Sequence, residues 1–260
     1  MNFLKKFFNV DNEYKDESKE KSVKVITQKK LQNSKYSKRQ RTYQGPLFAQ
    51  PGEISELFGY ANFNLGRNLS APFSIIDVET SHLSPNSGHI IEIAILQIDA
   101  AGKKIKEFST LVKSPDGEVG ATNIHGIKKS DLKNAPFFSE IVGNIFSLLT
   151  NSIIVAHNAR FEEGFLKKEF NRNGFTMPVI PALDTLWLSR QVIDLENYKL
   201  KTVVSGYGHR ITNAHTALGD TRAVAKILPK MLKQAGELKY PINLQNLPKN
   251  KIHKSLQKRK

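Results

Sequence analysis

The sequence predicts an α/β domain with a mixed central β-sheet flanked by helices. Short apolar runs such as FSIIDVET and NSIIVAHN end in polar residues, which is typical of buried strands. Two alternating segments on either side of Gly102 indicate an antiparallel hairpin. After this hairpin, segments with strand and helix periodicity alternate along the chain, and this order indicates an α/β domain.

The predicted elements follow in chain order. The predicted strands are FSIIDVET, HIIEIAILQIDA, KIKEFSTLVKS, NSIIVAHN and the start of LDTLWLSRQVI. Apolar residues at helical spacing predict helices in APFFSEIVGNIFSLL, ARFEEGFLKKEFNRNG, the end of LDTLWLSRQVI, LKTVVSGYG and HTALGDTRAVAKILPKML. Gly174 is expected to close the second of these helices, and residues 178–181 are expected to form a loop.

The net charge of +15 is concentrated at the two ends of the 260-residue chain. Residues 1–70 contain 13 Lys/Arg against 7 Asp/Glu, and residues 236–260 contain 7 against 1. The middle of the chain, residues 71–235, is nearly balanced at 19 against 16. Basic ends of this kind attract polyanions without specifying a sequence, although they can also serve only solubility.

Four segments are predicted from these patterns. Residues 1–44 are charged and have no apolar period, so we expect a basic, disordered tail. Residues 45–71 are expected to form a connecting arm that packs on the domain edge, with a short helix near residues 54–58. Residues 72–235 are expected to form the folded domain, and residues 236–260 a basic C-terminal tail.

Cysteine is absent from the sequence, which excludes disulfides, thiolate metal ligands and a cysteine nucleophile. No stretch reaches the roughly 20 apolar residues needed to span a bilayer. The N-terminal MNFLKKFFNV lacks the apolar core and cleavage site of a secretory signal. We therefore expect a cytoplasmic protein without a membrane span.

Two carboxylates are predicted on one face at the end of the first buried strand. Asp77 and Glu79 are two residues apart, and the side-chain period of a strand is also two. Like charges on one face repel each other unless a cation joins them. Taken alone, the pair is also explained by a solvated strand end.

A second pair of polar residues, His215 and Asp220, occurs in HTALGD. Five residues correspond to a rotation of about 140° on a helix. The two side chains can therefore share a site only if His215 lies on the loop that enters the final helix and Asp220 in its first turns. The alternative is an ordinary helix cap followed by a surface acid.

The segment HNARFEEGFL contributes a further acid. Glu162 is expected in the first turn of the predicted helix, and Glu163 points about 100° away from it. We therefore expect Glu162 to belong to a site and Glu163 to be solvated. Arg160 is expected either to meet a phosphate or to be solvated at the start of the helix.

Four acids and one imidazole form an oxygen-rich donor set that suits Mg²⁺ or Mn²⁺. Sites of this kind hold two ions roughly 3.5–4 Å apart and carry out in-line displacement at phosphorus. The candidate catalytic residues are Asp77, Glu79, Glu162, His215 and Asp220.

The segments DVET, HNARFEEGFL and HTALGD, in this order, resemble the three motifs of the DEDDh (DnaQ-like) 3′–5′ exonucleases. This family includes the proofreading epsilon subunit of bacterial DNA polymerase III and ribonuclease T. The linking segments GHIIEIA, TNIHGI, APFFSEI and ALDTL resemble the family as well, so the likeness covers about residues 72–232. It implies a ribonuclease H-like fold and metal-dependent removal of nucleotides from the 3′ ends of single-stranded DNA or RNA.

The resemblance also implies a role for each residue that matches a motif. Asp77, Glu79 and Asp220 would bind the first of two ions, with Asp77 bridging to the second, which Glu162 would support. His215 would be the general base, since an imidazole can accept a proton near neutral pH. The implied substrate-binding residues are Thr80, Leu83, His125, His157 and Asn158.

Two residues depart from the family pattern. Glu162 stands where the family usually has Asp, so the charge is kept but the side chain reaches roughly 1.5 Å further. Either the site stays active, or the longer side chain spoils its geometry. His82 stands where relatives often have Gly, and it either narrows the pocket for the terminal nucleotide or faces solvent.

Three further residues receive structural interpretations. Asp184 in ALDTL is expected to accept hydrogen bonds at a strand end. Glu92 alternates with apolar neighbours and is expected to face solvent or to pair with a basic residue. Trp187, the single tryptophan, is expected in the core.

Two kinds of function remain in competition at this point. The first is an exonuclease whose partner is a nucleic acid with a free 3′ end. The second is a catalytically weakened nucleic-acid-binding or polymerase-associated module, which Glu162 suggests. A DNA polymerase or clamp is a further candidate partner because INLQNL, at residues 242–247, faintly resembles a Q-x-x-L clamp-binding peptide. We favour a stand-alone exonuclease.

Overall fold

A computed structural model of the protein describes residues 49–64 and 66–241. The tail expected at residues 1–44 and the INLQNL peptide therefore lie outside the described residues. Of the expected C-terminal tail, only residues 236–241 are described.

The described residues form eight strands and six helices. The strands are β1 (Phe58–Tyr60), β2 (Arg67–Asn68), β3 (Phe73–Thr80), β4 (Ile90–Ile98), β5 (Lys104–Leu111), β6 (Ile153–Ala156), β7 (Ile180–Asp184) and β8 (Lys239–Tyr240). The helices are α1 (Thr122–His125), α2 (Phe138–Leu149), α3 (Ala159–Arg172), α4 (Thr185–Val192), α5 (Leu200–Gly206) and α6 (Ala217–Ala235).

Six strands form a mixed sheet in the order β1-β7-β6-β3-β4-β5. The pairs β1–β7, β7–β6 and β6–β3 are parallel, whereas β3–β4 and β4–β5 are antiparallel. The predicted α/β class and the predicted hairpin of β4 and β5 are thus confirmed. Strand β3 lies in the middle of the sheet, so its carboxyl end is flanked by elements on both sides.

The core is divided between the two faces of the sheet. One cluster joins β3 and β4 residues such as Ile76 and Ile93 to helices α2 and α3, for example through Ile145 and Phe165. The other cluster joins the opposite face to helices α4, α5 and α6. Helix packing on both faces fixes where each helix begins relative to the ends of the strands.

The arm preceding β3 differs from its predicted form. The prediction of a short helix near residues 54–58 is wrong, because Ile54 and Gly59 form an antiparallel bridge instead. The segment then enters β1, and the Ile180 amide donates to the Leu57 carbonyl at 2.8 Å. Backbone hydrogen bonds to β7 satisfy the peptide groups of Leu57–Tyr60 better than an isolated helical turn would.

Other local differences are small. The loop expected at residues 178–181 ends earlier, since β7 begins at Ile180. Pro181 is tolerated there because the pairing of β7 with β6 starts only at Ala182. Strands β2 and β8 form a separate two-stranded ribbon, which the sequence pattern did not predict.

Among the described residues, no helix is long and apolar enough to cross a membrane.

Candidate active site

The carboxyl end of β3 carries the first two acids of the site. Strand alternation places the side chains of Asp77 and Glu79 on one face. Oxygen atoms of Asp77, Glu79 and Asp220 all lie within 4.8 Å of one another. All three residues are half-buried. The sheet and the final helix therefore bring together acids that are more than 140 positions apart in the chain.

The start of α6 positions Asp220. Thr216 caps the helix, and its hydroxyl accepts a hydrogen bond from the Gly219 amide at 3.0 Å. Asp220 lies in the first turn, and the exposed His215 precedes the helix with a φ of 63°. Burial raises the pKa of Asp220, whereas the nearby His215, including its backbone amide, opposes the increase. The expected arrangement of loop histidine and helical aspartate is the one observed.

Glu162 lies in the first turn of α3, as expected, and is 3 % exposed. Its Oε2 is buried and accepts no hydrogen bond from the described residues. Burial raises its pKa well above the usual range, and the charges of Asp184 and Glu79 act in the same direction. Glu162 thus acts electrostatically on the acids of β3, although it lies outside the group of described residues whose oxygens are within 4.8 Å of one another.

Neighbouring acids raise the pKa values of Asp77 and Glu79. Burial raises the pKa of Asp77 well above its usual range, and the charges of Glu162, Asp220, Glu79 and Glu92 add to this effect. Burial, followed by the charges of Glu92 and Asp220, raises the pKa of Glu79 to about 8. Several carboxylates at such short range are stable in the ionised form only when cations neutralise them.

The donor set fits divalent cations of the hard type. Asp220 Oδ1 and Glu162 Oε2 are both buried without a hydrogen-bond donor in the described part of the chain. A buried carboxylate oxygen without a donor is costly, and a cation would satisfy it. Oxygen ligands without sulfur are those that Mg²⁺ and Mn²⁺ prefer.

The residues expected to contact substrate lie in different surroundings. The Thr80 hydroxyl donates to the His82 carbonyl at 2.7 Å, and both Leu83, which is 88 % exposed, and His82 lie on the surface. Leu83 is therefore free to contact a ligand, and His82 matches the solvent-facing alternative.

His125, in the short helix α1, is buried. Its Nδ1 accepts from the Ile127 amide at 3.1 Å, which places the ring proton on Nε2. Burial lowers the pKa of His125, and a hydrogen bond with the Val119 backbone opposes this change. The ring is thus held by the backbone of its own loop.

His157, which was expected to contact substrate, forms hydrogen bonds within the protein. Its Nε2 donates to the Tyr198 carbonyl at 2.8 Å, and its Nδ1 lies 3.1 Å from the Thr185 hydroxyl. Both ring nitrogens are therefore occupied inside the protein. Asn158 follows with a φ of 81°, and its backbone N–H donates to Asp184 Oδ1 at 3.1 Å. This pair turns the chain from β6 into α3.

The expectation that Glu163 is solvated is wrong. The residue is 3 % exposed and accepts hydrogen bonds from the Leu57 and Phe58 amides, each at 3.0 Å. Arg160 was expected to meet a phosphate or solvent; in the structure it pairs with Glu163 at 3.0 Å and with Glu53 at 2.5 Å. The sequence contains one sign of this burial: Glu163 lies three and seven positions before the apolar Leu166 and Phe170, on the same helical stripe.

Three other residues complete the surroundings of the site. Asp184 accepts from the Leu186 and Asn158 amides, so its predicted hydrogen-bonding role is confirmed. Glu92 neither faces solvent freely nor pairs with a base, because it accepts from the Ala217 amide at 3.1 Å. Trp187 is partly buried against the second core cluster, so the expected core position is met only in part.

A mixed sheet with acids converging from β3, α3 and α6 is suited to metal-dependent hydrolysis. A family model described as Exonuclease (RNase T) matches residues 74–228. The chain belongs to this exonuclease family. The resemblance to the DEDDh exonucleases is thereby confirmed at the level of the family.

Curated relatives are similar over the same part of the chain. A PolC-type DNA polymerase III from Caldanaerobacter subterraneus is 35 % identical over 175 residues, which cover 66 % of this chain and 12 % of the relative. The 3′-5′ exonuclease DinG from Bacillus subtilis is 34 % identical over 173 residues, which cover 65 % of this chain and 18 % of DinG. The chain therefore spans less than one fifth of the length of these relatives.

Solved structures support the same fold. E. coli exonuclease I in complex with a dT13 oligonucleotide matches 64 % of this chain and 42 % of its own, with a TM-score of 0.56 and 19 % identity. A 3′-exonuclease that recognises the 3′ end of a histone mRNA stem-loop matches 67 % of this chain and 87 % of its own, with a TM-score of 0.54 and 15 % identity.

Proposed function

We propose that this protein is a divalent-metal-dependent 3′–5′ exonuclease that removes nucleotides from the 3′ ends of single-stranded DNA or RNA. The observation that carries the proposal is the convergence of Asp77, Glu79 and Asp220 within 4.8 Å in a chain of the exonuclease family. The similar DinG is named a 3′-5′ exonuclease, and the similar exonuclease I is seen with a DNA oligonucleotide. The substrate of this proposal is a nucleic acid with a free 3′ end.

The acidic cluster would hold two Mg²⁺ or Mn²⁺ ions. Asp77, Glu79 and Asp220 would hold the first ion, and Asp77 together with Glu162 would hold the second. When bound, such ions supply a reactive water and neutralise charge that develops on the phosphodiester. The unpartnered oxygens of Glu162 and Asp220 support this assignment.

The remaining roles fall to side chains around the cluster. His215 is exposed at the entrance to α6, where its imidazole can accept the proton of the attacking water. Leu83 is exposed and would pack against the terminal nucleotide, next to Thr80. His125 would be a weaker substrate contact, because its ring is buried. His157 and Asn158 would act on substrate only through the turn that they stabilise.

A digestion assay tests the proposal. Single-stranded DNA and RNA oligonucleotides labelled at the 5′ end are incubated with Mg²⁺ or Mn²⁺, and a ladder that shortens from the 3′ end is expected. Asp77→Asn should reduce the rate by at least about 100-fold, since a ligand of the ion is lost. Glu237→Gln is the control. Asp220 of the site lies in the first turn of the 19-residue helix α6, whereas Glu237 follows the other end of this helix, away from the site. Equal rates for Asp77→Asn and the unchanged protein would show that the assigned site is wrong.

A second candidate function rests on Glu162. If the longer side chain impairs the second ion, the protein is a weakened module that binds nucleic acid or accompanies a polymerase. The PolC-type relatives favour a polymerase or clamp as partner, and the basic ends of the chain favour a polyanion. Strong binding of oligonucleotides without a shortening ladder would favour this candidate. Both candidates are proposed to act in the cytoplasm.

A further inference from the structure

Glu163 is buried next to the proposed metal ligand Glu162. Both oxygens of the Glu163 carboxylate accept hydrogen bonds from the arm, which precedes the residues that match the family model. Oε1 accepts from the Leu57 and Phe58 amides, each at 3.0 Å. Oε2 accepts from the Tyr60 hydroxyl at 2.7 Å. Burial and the charge of Glu163 both raise the pKa of Tyr60, so that its hydroxyl stays a donor.

Two more side chains on the same face of α3 bind the arm. Arg160 donates to both carboxylate oxygens of Glu53, at 2.5 and 2.6 Å, and also to Glu163. Lys167 forms an ion pair with Glu56. Positions 160, 163 and 167 are separated by three and four residues, so they form one stripe along the helix. The segment from Glu53 to Tyr60 therefore lies against a single stripe of α3.

The arm is itself fixed to the sheet next to the site. Phe58–Tyr60 pairs in parallel with Ile180–Ala182 of β7. Strand β7 ends at Asp184, whose carboxylate accepts from the Asn158 amide at the start of α3. The beginning of α3 is thus held from two directions by elements that belong to one sheet.

These contacts restrict rotation of α3, the helix that carries Glu162. Glu162 is one residue before Glu163, about 100° away around the helix axis. A rotation of α3 about its axis would therefore move both carboxylates together. Glu163 is held by three donors from the arm, and the buried Glu162 is close enough to Asp77 for its charge to raise the pKa of that carboxyl.

We infer that Glu163 is a positioning residue, and that the arm of residues 53–60 completes the metal site by orienting Glu162 through it. The inference rests on the proposed function. The arm lies outside residues 74–228, the part of the chain that matches the family model. Metal affinity in this protein thus depends on a segment that carries none of the family's motifs.

Metal binding tests the inference without relying on catalysis. Mn²⁺ affinity is measured by titration calorimetry on the full chain, for the unchanged protein, Glu163→Gln, Tyr60→Phe and Glu169→Gln. Glu169 is the matched control, because it lies on α3, is also 3 % exposed and also pairs with an arginine, Arg172. We expect Glu163→Gln to weaken Mn²⁺ binding by roughly 10-fold, as loss of a supporting partner commonly does. Tyr60→Phe, which removes one hydroxyl, should weaken it less, and Glu169→Gln should leave it unchanged.

The outcomes separate positioning from general loosening of the fold. Glu163→Gln with the affinity of the unchanged protein would overturn the inference, and so would equal losses in Glu163→Gln and Glu169→Gln. A lower kcat with an unchanged KM for the oligonucleotide in Glu163→Gln would support it. An unchanged protein that neither binds Mn²⁺ nor shortens oligonucleotides would instead refute the proposed function before any variants are compared.

Discussion

Glu79 and Glu92 lie directly opposite each other on the antiparallel strands β3 and β4. Like charges at opposed positions in a sheet repel each other. Burial raises the pKa of Glu92, and the hydrogen bond from the Ala217 amide opposes this change. Glu92 therefore links the strand that carries two proposed ligands to the helix that carries Asp220, and it adds a negative charge beside the site.

Replacing Glu92 by Gln should separate these two effects. The amide of Glu92→Gln can still accept from the Ala217 amide, but the charge opposite Glu79 is lost. We expect a higher melting temperature without metal at pH 8, and weaker Mg²⁺ binding by roughly 10-fold. Differential scanning fluorimetry across a Mg²⁺ titration measures both quantities. A variant with lower metal-free stability and unchanged Mg²⁺ affinity would contradict the role assigned to this charge.

The length of the Glu162 side chain can be tested by Glu162→Asp. The carboxylate would be withdrawn by roughly 1.5 Å, one carbon–carbon bond, from the acids of β3, since contacts with the arm hold α3 in place. We expect the exonuclease rate to fall about 10-fold, since small displacements at a reacting centre are costly.

Glu169→Asp, on the same helix, is the control for the general cost of shortening a buried acid. The two variants are compared in the same oligonucleotide assay at equal Mg²⁺ concentration. A faster Glu162→Asp enzyme would favour the weakened module of the second candidate function.

The main features of the site could be predicted from sequence because each depends on local geometry. The strand period places Asp77 and Glu79 together, and helix rotation requires His215 to precede α6. The contacts of Glu163 could not be found in the same way. Its partner Tyr60 is 103 residues away in the chain, in a strand of only three residues. A strand so short has no periodicity of its own, and its pairing with β7 is determined by tertiary contacts.

The pairing of Glu92 illustrates a second kind of limit. The hairpin of β4 and β5 was predictable from the turn at Gly102, but the register of β3 against β4 depends on the loop between them. That register decides whether Glu92 meets Glu79 or the next residue on that face. A charged residue within the apolar run HIIEIAIL was the available sign that it has a specific partner.

The acidic cluster should make metal-free stability fall as pH rises. The pKa of Glu79 is raised to about 8, compared with roughly 4.3 in an unfolded chain. The stability that this pKa difference contributes is fully present below the pKa of Glu79 in the unfolded chain. It is lost as the pH rises through the pKa of Glu79 in the folded protein. In EDTA, the melting temperature is expected to decrease from pH 6.5 to pH 8.5.

Saturating Mg²⁺ should reverse this trend, because a cation stabilises the ionised carboxylates and binds the folded state. Asp77→Asn should show a flatter pH dependence in EDTA, since one of the interacting charges is removed. A metal-free melting temperature that rises over this range would contradict the mutual repulsion described for the site.

His157 should produce the opposite dependence at lower pH. Burial lowers the pKa of His157 to about 4, with a smaller contribution from the charge of Arg190, whereas the hydrogen bond to the Tyr198 carbonyl opposes it. An unfolded histidine titrates at roughly 6.5. Its contribution to stability is therefore present above pH 6.5 and is lost as the pH falls through about 4. The loss is on the order of 3 kcal/mol.

The comparison of His157→Gln with the unchanged protein isolates this contribution from that of the carboxylates. Urea unfolding at pH 7, 5 and 4 gives the free energy of unfolding of each protein. We expect Gln at this position to cost stability at pH 7, because one of two buried hydrogen bonds is lost, but to cost less at pH 4. His209→Gln, at an exposed position, should follow the unchanged protein at every pH. If the difference between His157→Gln and the unchanged protein is the same at pH 7 and pH 4, the ring is not the buried, neutral group that holds β6 to the loop before α5.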